Sequence, residues 1–302
     1  MRLIDVHMHV FETMYSFGRN GELRTVGSGK VRTIEGREFQ LIPPGLGDRS
    51  FEVKTLIDLM DQNRVEKGVL LQGSFYGFQN DYVAESAAAY PNRLLPAGTL
   101  DPFCGNAAHL AEVLLGERGM KAMKFEVSSG AGLMSYHPAF ALDGDVFEDI
   151  FEMINKRGAT LVLDIGSPGM DSFQVPAVAR IAERYPSMRI VVCHLLAPHQ
   201  GDRKYLEESF PLLKKENIWF DCSALPWNVN PEAYPYPTAL DYLRLAKETV
   251  GADKLMFGTD VPSVLNHSTY AQLVDFVQQE DVFTTEELDG YYWKNALNAY
   301  SF

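Results

Sequence analysis

Cysteine is scarce. The three thiols, Cys104, Cys193 and Cys222, form no CxxC pair. An odd, sparse set of this kind fits reduced thiols in a cytoplasm rather than a disulfide framework, and each lies in or beside an apolar stretch, where burial is the default. Positive charge is also short: 27 Lys and Arg against 40 Asp and Glu leave a formal charge of −13. An acidic surface argues against nucleic acid and against anionic membranes as partners. It says nothing of a site's interior, because a few local cations outweigh distant surface charge. No apolar run approaches the length of a membrane span. The opening residues, MRLIDVHMHV, do not read as a signal peptide, since an Asp and two His interrupt the apolar run. Internal repeats, low-complexity segments and domain linkers are missing too. The expectation left is a cytoplasmic globular chain whose partner is a small molecule.

What is present is ordinary in amount and ordered in pattern. The 302 residues, 46% hydrophobic and 22% charged, suffice for one large α/β barrel or two ordinary domains, with a core that needs no staples. Short β-branched and Leu-rich runs alternate with amphipathic stretches of helical length. Eight runs read as strands: Leu3–His9, Gly68–Gln72, Leu94–Leu100, Met120–Phe125, Thr160–Ile165, Arg189–His194, Ile218–Cys222 and Lys254–Gly258. Helices fall between them, and the last strand is followed by helical patterns at Thr269–Gln279 and about Thr285–Tyr300. Such alternation implies parallel βαβ units. Eight units closing on themselves give the expected fold class, α/β, a (β/α)8 TIM barrel forming a single domain over residues 1–302. The main rival is a doubly wound open sheet, which usually shows a Gly-rich nucleotide loop after its first strand. Here that strand ends in HMH instead. Residues 11–50 are too long for a simple βα loop and contain strand-like pieces at Lys30–Ile34 and Glu38–Ile42. They read as an N-terminal insertion after strand 1, an excursion over the barrel mouth of the kind that serves as a lid or substrate wall.

The first strand carries the clearest chemistry. Residues two apart on a strand share a face, so His7 and His9 point together, in line with Asp5, while Ile4, Val6 and Met8 take the other side. Two imidazoles at the C-terminal end of a barrel strand lie where barrel active sites lie and chelate a divalent transition metal well. An HxH pair alone is weak evidence. The last strand, however, ends in Phe-Gly-Thr-Asp, and in a closed barrel it neighbours the first. Asp260 then completes a His, His, Asp set.

Three further residues end strands at the same rim. His194, on a face with Ile190 and Val192, is a candidate ligand or general acid/base. Asp164, inward with Val162, is a candidate metal ligand or a carboxylate that orients a ligand His. Lys124, inward with Met120 and Ala122, is a candidate for a substrate carboxylate, for a carbamate bridging two metals, or for a plain ion pair with Asp164. His109, His137, His199, His267 and Arg203 read as ordinary surface or loop groups.

These residues resemble the amidohydrolase superfamily, and more closely the amidohydrolase-related branch that includes aminocarboxymuconate-semialdehyde decarboxylase, resorcylate-type decarboxylases and metal-dependent hydrolases. The resemblance runs through DVHMH, MKAMKF, Asp-Ile-Gly-Ser-Pro-Gly, RIVVCHL, LMFGTDVP and the closing YYWKNALNAY. It implies metal ligands at His7 and His9, Asp260 as a metal-linked base, His194 as an acid/base, and a homodimer by family habit. The family's fifth strand usually ends in His; here that position is Asp164, so the site loses one imidazole and gains a carboxylate.

The leading expectation is metal-assisted hydrolysis of a small amide, lactone or cyclic ester. One divalent ion, Zn²⁺ first and Mn²⁺, Fe²⁺ or Co²⁺ next, would acidify a water, Asp260 would shuttle the proton, and His194 or Lys124 would stabilise the oxyanion. The alternative is non-oxidative decarboxylation of a small aromatic or unsaturated acid. The aromatic loops Ser74–Phe78 and Pro226-Trp227 with Tyr234 and Tyr236 favour a flat substrate in either case. A metal-free or non-catalytic barrel ranks last.

Overall fold

The computed structural model describes the backbone of residues 1–302 and every side chain except that at position 280. In chain order its strands are β1 (Ile4–Met8), β2 (Tyr15–Gly18), β3 (Gly21–Gly27), β4 (Lys30–Thr33), β5 (Glu38–Gln40), β6 (Lys67–Leu70), β7 (Leu94–Gly98), β8 (Ala122–Glu126), β9 (Thr160–Asp164), β10 (Arg189–Val192), β11 (Ile218–Asp221) and β12 (Leu255–Met256). β1 and β6 to β12 pair in parallel, in that order, as one eight-stranded sheet. The sheet's ends meet. Val6 N donates to Phe257 O at 3.0 Å, Asp260 N to His7 O at 2.8 Å, and His9 N to Val261 O at 3.0 Å. A (β/α)8 barrel results, with helices such as Val53–Gln62, Val175–Arg184 and Pro237–Val250 between successive strands. No helix among the described residues is long and apolar enough to cross a membrane.

Two apolar layers hold the barrel. The inner one fills it with Ile4, Val6, Val69, Leu71, Leu95, Ala97, Ala122, Val162, Val191, Cys193 and Met256. The C-terminal segment closes this layer from below: Trp293, Ala296, Ala299 and Tyr300 join it, and Thr160 Oγ1 donates to Ala299 O at 2.7 Å. The outer layer lies between strands and helices. Its Phe125 meets Phe147 edge-on at 5.4 Å, and Phe147 stacks on Phe151 at 5.1 Å, geometries that add to plain burial.

Strict alternation fails on two strands, and both failures matter to the site. On β1 the inward residues are Ile4 and Val6, not Asp5. A register irregularity between Asp5 and Met8 then resets the alternation, so that Met8 packs outward. Asp5 faces outward too. Its carboxylate accepts from His7 N at 3.1 Å, Thr259 N at 3.0 Å, and Thr259 Oγ1 and Tyr270 OH at 2.6 Å each. Four donors make burial of that carboxylate tolerable and pin the bulge to the end of β12. On β10 the inward residues are Val191 and Cys193, while Ile190 and Val192 face out, against the expected pattern. His194 reaches the mouth by another route. The chain leaves the strand through a left-handed run, with φ 57° at His194, 51° at Leu195, 71° at Leu196 and 45° at Ala197.

The excursion is larger than a hairpin. β2 to β5 form a four-stranded antiparallel sheet, tied to the barrel where Phe11 and Phe51 exchange backbone hydrogen bonds of 3.0 and 2.9 Å. The pieces expected at Lys30–Ile34 and Glu38–Ile42 are β4 and β5, slightly shorter. The helix expected at Thr269–Gln279 is α-helical only over Tyr270–Asp275, started by a reciprocal Thr269–Gln272 capping box, and continues as a 3-10 turn. The closing helix is interrupted by a π turn at Gly290–Lys294.

Candidate active site

The site lies at the C-terminal ends of the barrel strands. His9 Nε2 lies 2.9 Å from Asp260 Oδ1, and His7 Nε2 lies 3.6 Å from the same oxygen. Both rings are fixed by their other nitrogen. His9 Nδ1 donates to Leu71 O at 2.9 Å, and His7 Nδ1 to Asp221 Oδ2 at 2.5 Å. These bonds place the protons on Nδ1 and turn both Nε2 lone pairs towards Asp260. Burial lowers the basicity of both imidazoles, and for His7 the nearby Lys124 and His194 charges lower it further. The rings are therefore neutral, as metal ligands must be. Burial pushes the Asp260 carboxyl up, but the surrounding imidazoles, the cationic His194 among them, outweigh it and hold the group below its usual range. Its backbone is left-handed, φ 72°, which swings the carboxylate across to β1.

Two sets of three side chains stand close enough to share an ion: His7, His9 and Asp260, and His7, His194 and Asp221. Geometry separates them. Ligands about 2.0–2.2 Å from a tetrahedral ion lie roughly 3.3–3.6 Å apart. The separations of 2.9 and 3.6 Å in the first set bracket that range. The 2.5 Å between His7 and Asp221 is a hydrogen bond with no room for an ion. The residues present thus fit a divalent transition metal at His7, His9 and Asp260, with Asp221 and Leu71 O orienting the rings.

An ion-pair cluster adjoins His7, with the His194 ring stacked on that of His7 at 4.6 Å between centres. His194 Nε2 lies 3.5 Å from Asp164 Oδ2, and His194 Nδ1 lies 2.8 Å from Ser223 Oγ. Burial pulls the imidazole down, yet Asp164, Asp260 and Asp221 raise it to about 9, so His194 is a cation at neutral pH. Burial likewise pushes Asp164 up, and the same pairing with His194 and the charge of Lys124 hold it well below the usual carboxylate range. Asp164 belongs to neither metal-competent set; its Oδ1 accepts from Gly166 N at 3.0 Å. Lys124 Nζ reaches to 3.4 Å from His7 Nε2. Burial alone would discharge it, and the surrounding carboxylates keep it an ammonium, a form that does not carry a carbamate.

A cavity of about 360 Å³ opens over these groups. His9, Lys124, Asp164, His194 and Asp260 line its floor; Phe75, Tyr76 and Trp227 line its sides; and Phe39 to Leu41 of the excursion reach its rim. Tyr76 lies over His9 with 4.3 Å between ring centres. Tyr234 and Tyr236 do not line the cavity; they pack on each other at 5.7 Å, and Tyr236 OH shares a 2.8 Å hydrogen bond with Ser268. Among the other candidates, His137 pairs with Asp101 at 2.7 Å, and Arg203 with Glu207 and Asp241. Three polar residues here escaped the sequence reading: Asp221, Ser223 and Glu126. Asp221 and Glu126 end inward-facing strands just as Asp164 does, and that signal was available.

A barrel with this constellation at its mouth is built for chemistry assisted by a metal or a cationic pair on a small molecule. The family model described as Amidohydrolase matches residues 4–302, and the chain belongs to the amidohydrolase family. Solved structures share the fold. A probable 2-pyrone-4,6-dicarboxylic acid hydrolase from Acinetobacter baumannii, with citric acid bound, is 18% identical over 100% of both chains, with a TM-score of 0.75. An amidohydrolase from Burkholderia multivorans with bound zinc is 17% identical over 99% of both, TM-score 0.71. A 2,6-dihydroxybenzoate decarboxylase from Rhizobium is 16% identical over 81% of this chain and 87% of its own, TM-score 0.58.

Proposed function

We propose that this enzyme opens a small lactone or other cyclic ester by hydrolysis. One observation carries the reading: an ionised carboxylate, Asp260, stands beside two neutral imidazoles, and two cations adjoin them, Lys124 with Nζ 3.4 Å from His7 Nε2 and His194 with its ring stacked 4.6 Å from that of His7. Base and oxyanion stabiliser thus meet on one floor, where a carbonyl fits.

His7, His9 and Asp260 are the residues that would hold a single divalent ion, Zn²⁺ before Mn²⁺, Fe²⁺ or Co²⁺. Such an ion supplies acidification of a water, to a pKa of about 7 in favourable sites, and polarisation of the ester carbonyl. Asp260 accepts the proton that water loses as it attacks the carbonyl carbon. The Lys124 ammonium and the His194 imidazolium stabilise the charge that grows on the carbonyl oxygen. When the ring C–O bond breaks, Asp260 returns its proton to the departing oxygen, leaving a hydroxy acid. The zinc-bearing relative supports the ion, and the probable pyrone hydrolase covers more of this chain, at a higher TM-score, than the decarboxylase.

The test is a substrate panel on Zn²⁺-reconstituted protein. Ring opening of lactones, abolished in Asp260→Asn, is expected. Release of CO₂ from hydroxybenzoates without lactone turnover would replace hydrolysis by decarboxylation.

A further inference from the structure

Glu126 ends β8 two residues beyond Lys124 on the same inward face, about 6–7 Å further up the cavity wall. Its Oε2 accepts from Phe75 N at 3.3 Å. No described residue donates to its Oε1, and none brings a cation within ion-pair distance. The two cations of the cavity are engaged elsewhere, His194 with Asp164 at 3.5 Å and Lys124 with His7 at 3.4 Å. Among the described residues no arginine lines the cavity.

The carboxyl is also built in. At Gly73 a Cβ would lie 2.1 Å from Glu126 Oε2, so the loop passes close only because it has no side chain there. Burial pushes the group up to about 7, the mark of a carboxyl short of partners. The side chain is only partly buried and lines the cavity, where a ligand donor can take the place of water on Oε1.

We propose that Glu126 determines specificity by accepting a hydrogen bond from a substrate hydroxyl, so that this site takes an uncharged, hydroxylated cyclic ester and turns away one bearing a second carboxylate. The substrate class rests on the hydrolase reading; the recognition does not. A hydroxyl one or two bonds from the reacting carbonyl spans the step from Lys124 to Glu126. Above about pH 7, where Glu126 is ionised, a carboxylate in the same place would meet a like charge that a hydroxyl does not.

The experiment compares wild type and Glu126→Gln, an exchange of nearly equal shape. Turnover is measured on α-hydroxy-γ-butyrolactone and on γ-butyrolactone-α-carboxylate, which carry the two groups on the same ring carbon, and calorimetric affinity on their slow-reacting ring analogues, 3-hydroxypyrrolidin-2-one and 2-oxopyrrolidine-3-carboxylate. The wild type is expected to favour the hydroxylated member of each pair by about tenfold or more, and Glu126→Gln to reduce that ratio by about tenfold through weaker hydroxyl and stronger carboxylate recognition. A wild type that prefers the carboxylated member, or a ratio unchanged in the variant, would overturn the proposal. Absence of lactone turnover with the affinity ratio intact would remove the hydrolase reading and leave the recognition standing.

Discussion

Replacing Asp221 by Asn changes one charge and almost no volume, yet it acts on His7 through a single hydrogen bond. In the native arrangement Asp221 Oδ2 accepts from His7 Nδ1 at 2.5 Å while Oδ1 accepts from Ser223 N at 2.7 Å. Asn keeps the second bond with its carbonyl oxygen and presents an NH₂ group to the imidazole. His7 then accepts at Nδ1, its proton moves to Nε2, and the nitrogen facing Asp260 is no longer a metal ligand. Loss of such an orienting partner costs about 10–100-fold in metal affinity, or roughly 1.4–2.7 kcal/mol. Stability should move little, or upward. Burial pushes the Asp221 carboxyl above its usual value, so the native anion is held at a desolvation cost that Asn does not bear. The assay is Zn²⁺ affinity by competition with a chromophoric chelator, beside the thermal midpoint of the metal-free protein. Unchanged zinc affinity would refute the orienting role. Zinc loss that tracks a large fall in the midpoint would refute the claim that the effect is local.

Two further outcomes follow from the same geometry. His194 has its folded pKa raised to about 9 from an ordinary 6.5, so its contribution is fully present below about 6.5 and is lost as pH rises through about 9. Hydrolysis should show an alkaline limb near pH 9, and Asp164→Asn should move that limb towards neutrality; a limb that stays in place would exclude His194 as its source. At Gly258 a Cβ would lie 2.8 Å from Asp221 Oδ1 and 3.2 Å from His7 Cβ. Gly258→Ala should therefore cost roughly 1–3 kcal/mol in chemical denaturation and at least tenfold in zinc affinity, and an affinity equal to wild type would show that the wall between the two residues gives way freely.

The barrel was legible because eight β-rich runs alternate with helix-length segments, and His7, His9 and Asp260 because they end its first and last strands. What the sequence hid was the route by which side chains reach the mouth. Alternation on β1 predicts Asp5 inside with the histidines, but the bulge before Met8 leaves Asp5 outside, among four donors contributed mainly by Thr259 and Tyr270. His194 points into the site although its strand neighbours Ile190 and Val192 do not, because a left-handed run, rare for non-glycine residues, turns the chain. Strand period carries no trace of either. Asp221 is a different case: the run IWFDCS reads as a strand ending in a carboxylate, as LVLD does for Asp164, so its place at the mouth was legible, while its role in orienting His7 comes from a pairing across 214 positions. In the excursion, β2 and β3 lack apolar alternation and went unseen, whereas β4 and β5 were placed within two residues.

The seam that closes the barrel runs through the site itself. His9 and Asp260 are 251 residues apart in the chain, and they meet where Asp260 N and His9 N complete the backbone pairing between β1 and the segment after β12. While the chain is being synthesised, His9 emerges 251 residues before its carboxylate appears. Any ion captured by all three would bind only the closed form and would stabilise closure by mass action, clasping the loop that separates His9 from Asp260. Supply of such an ion would then govern how long the finished barrel stays shut.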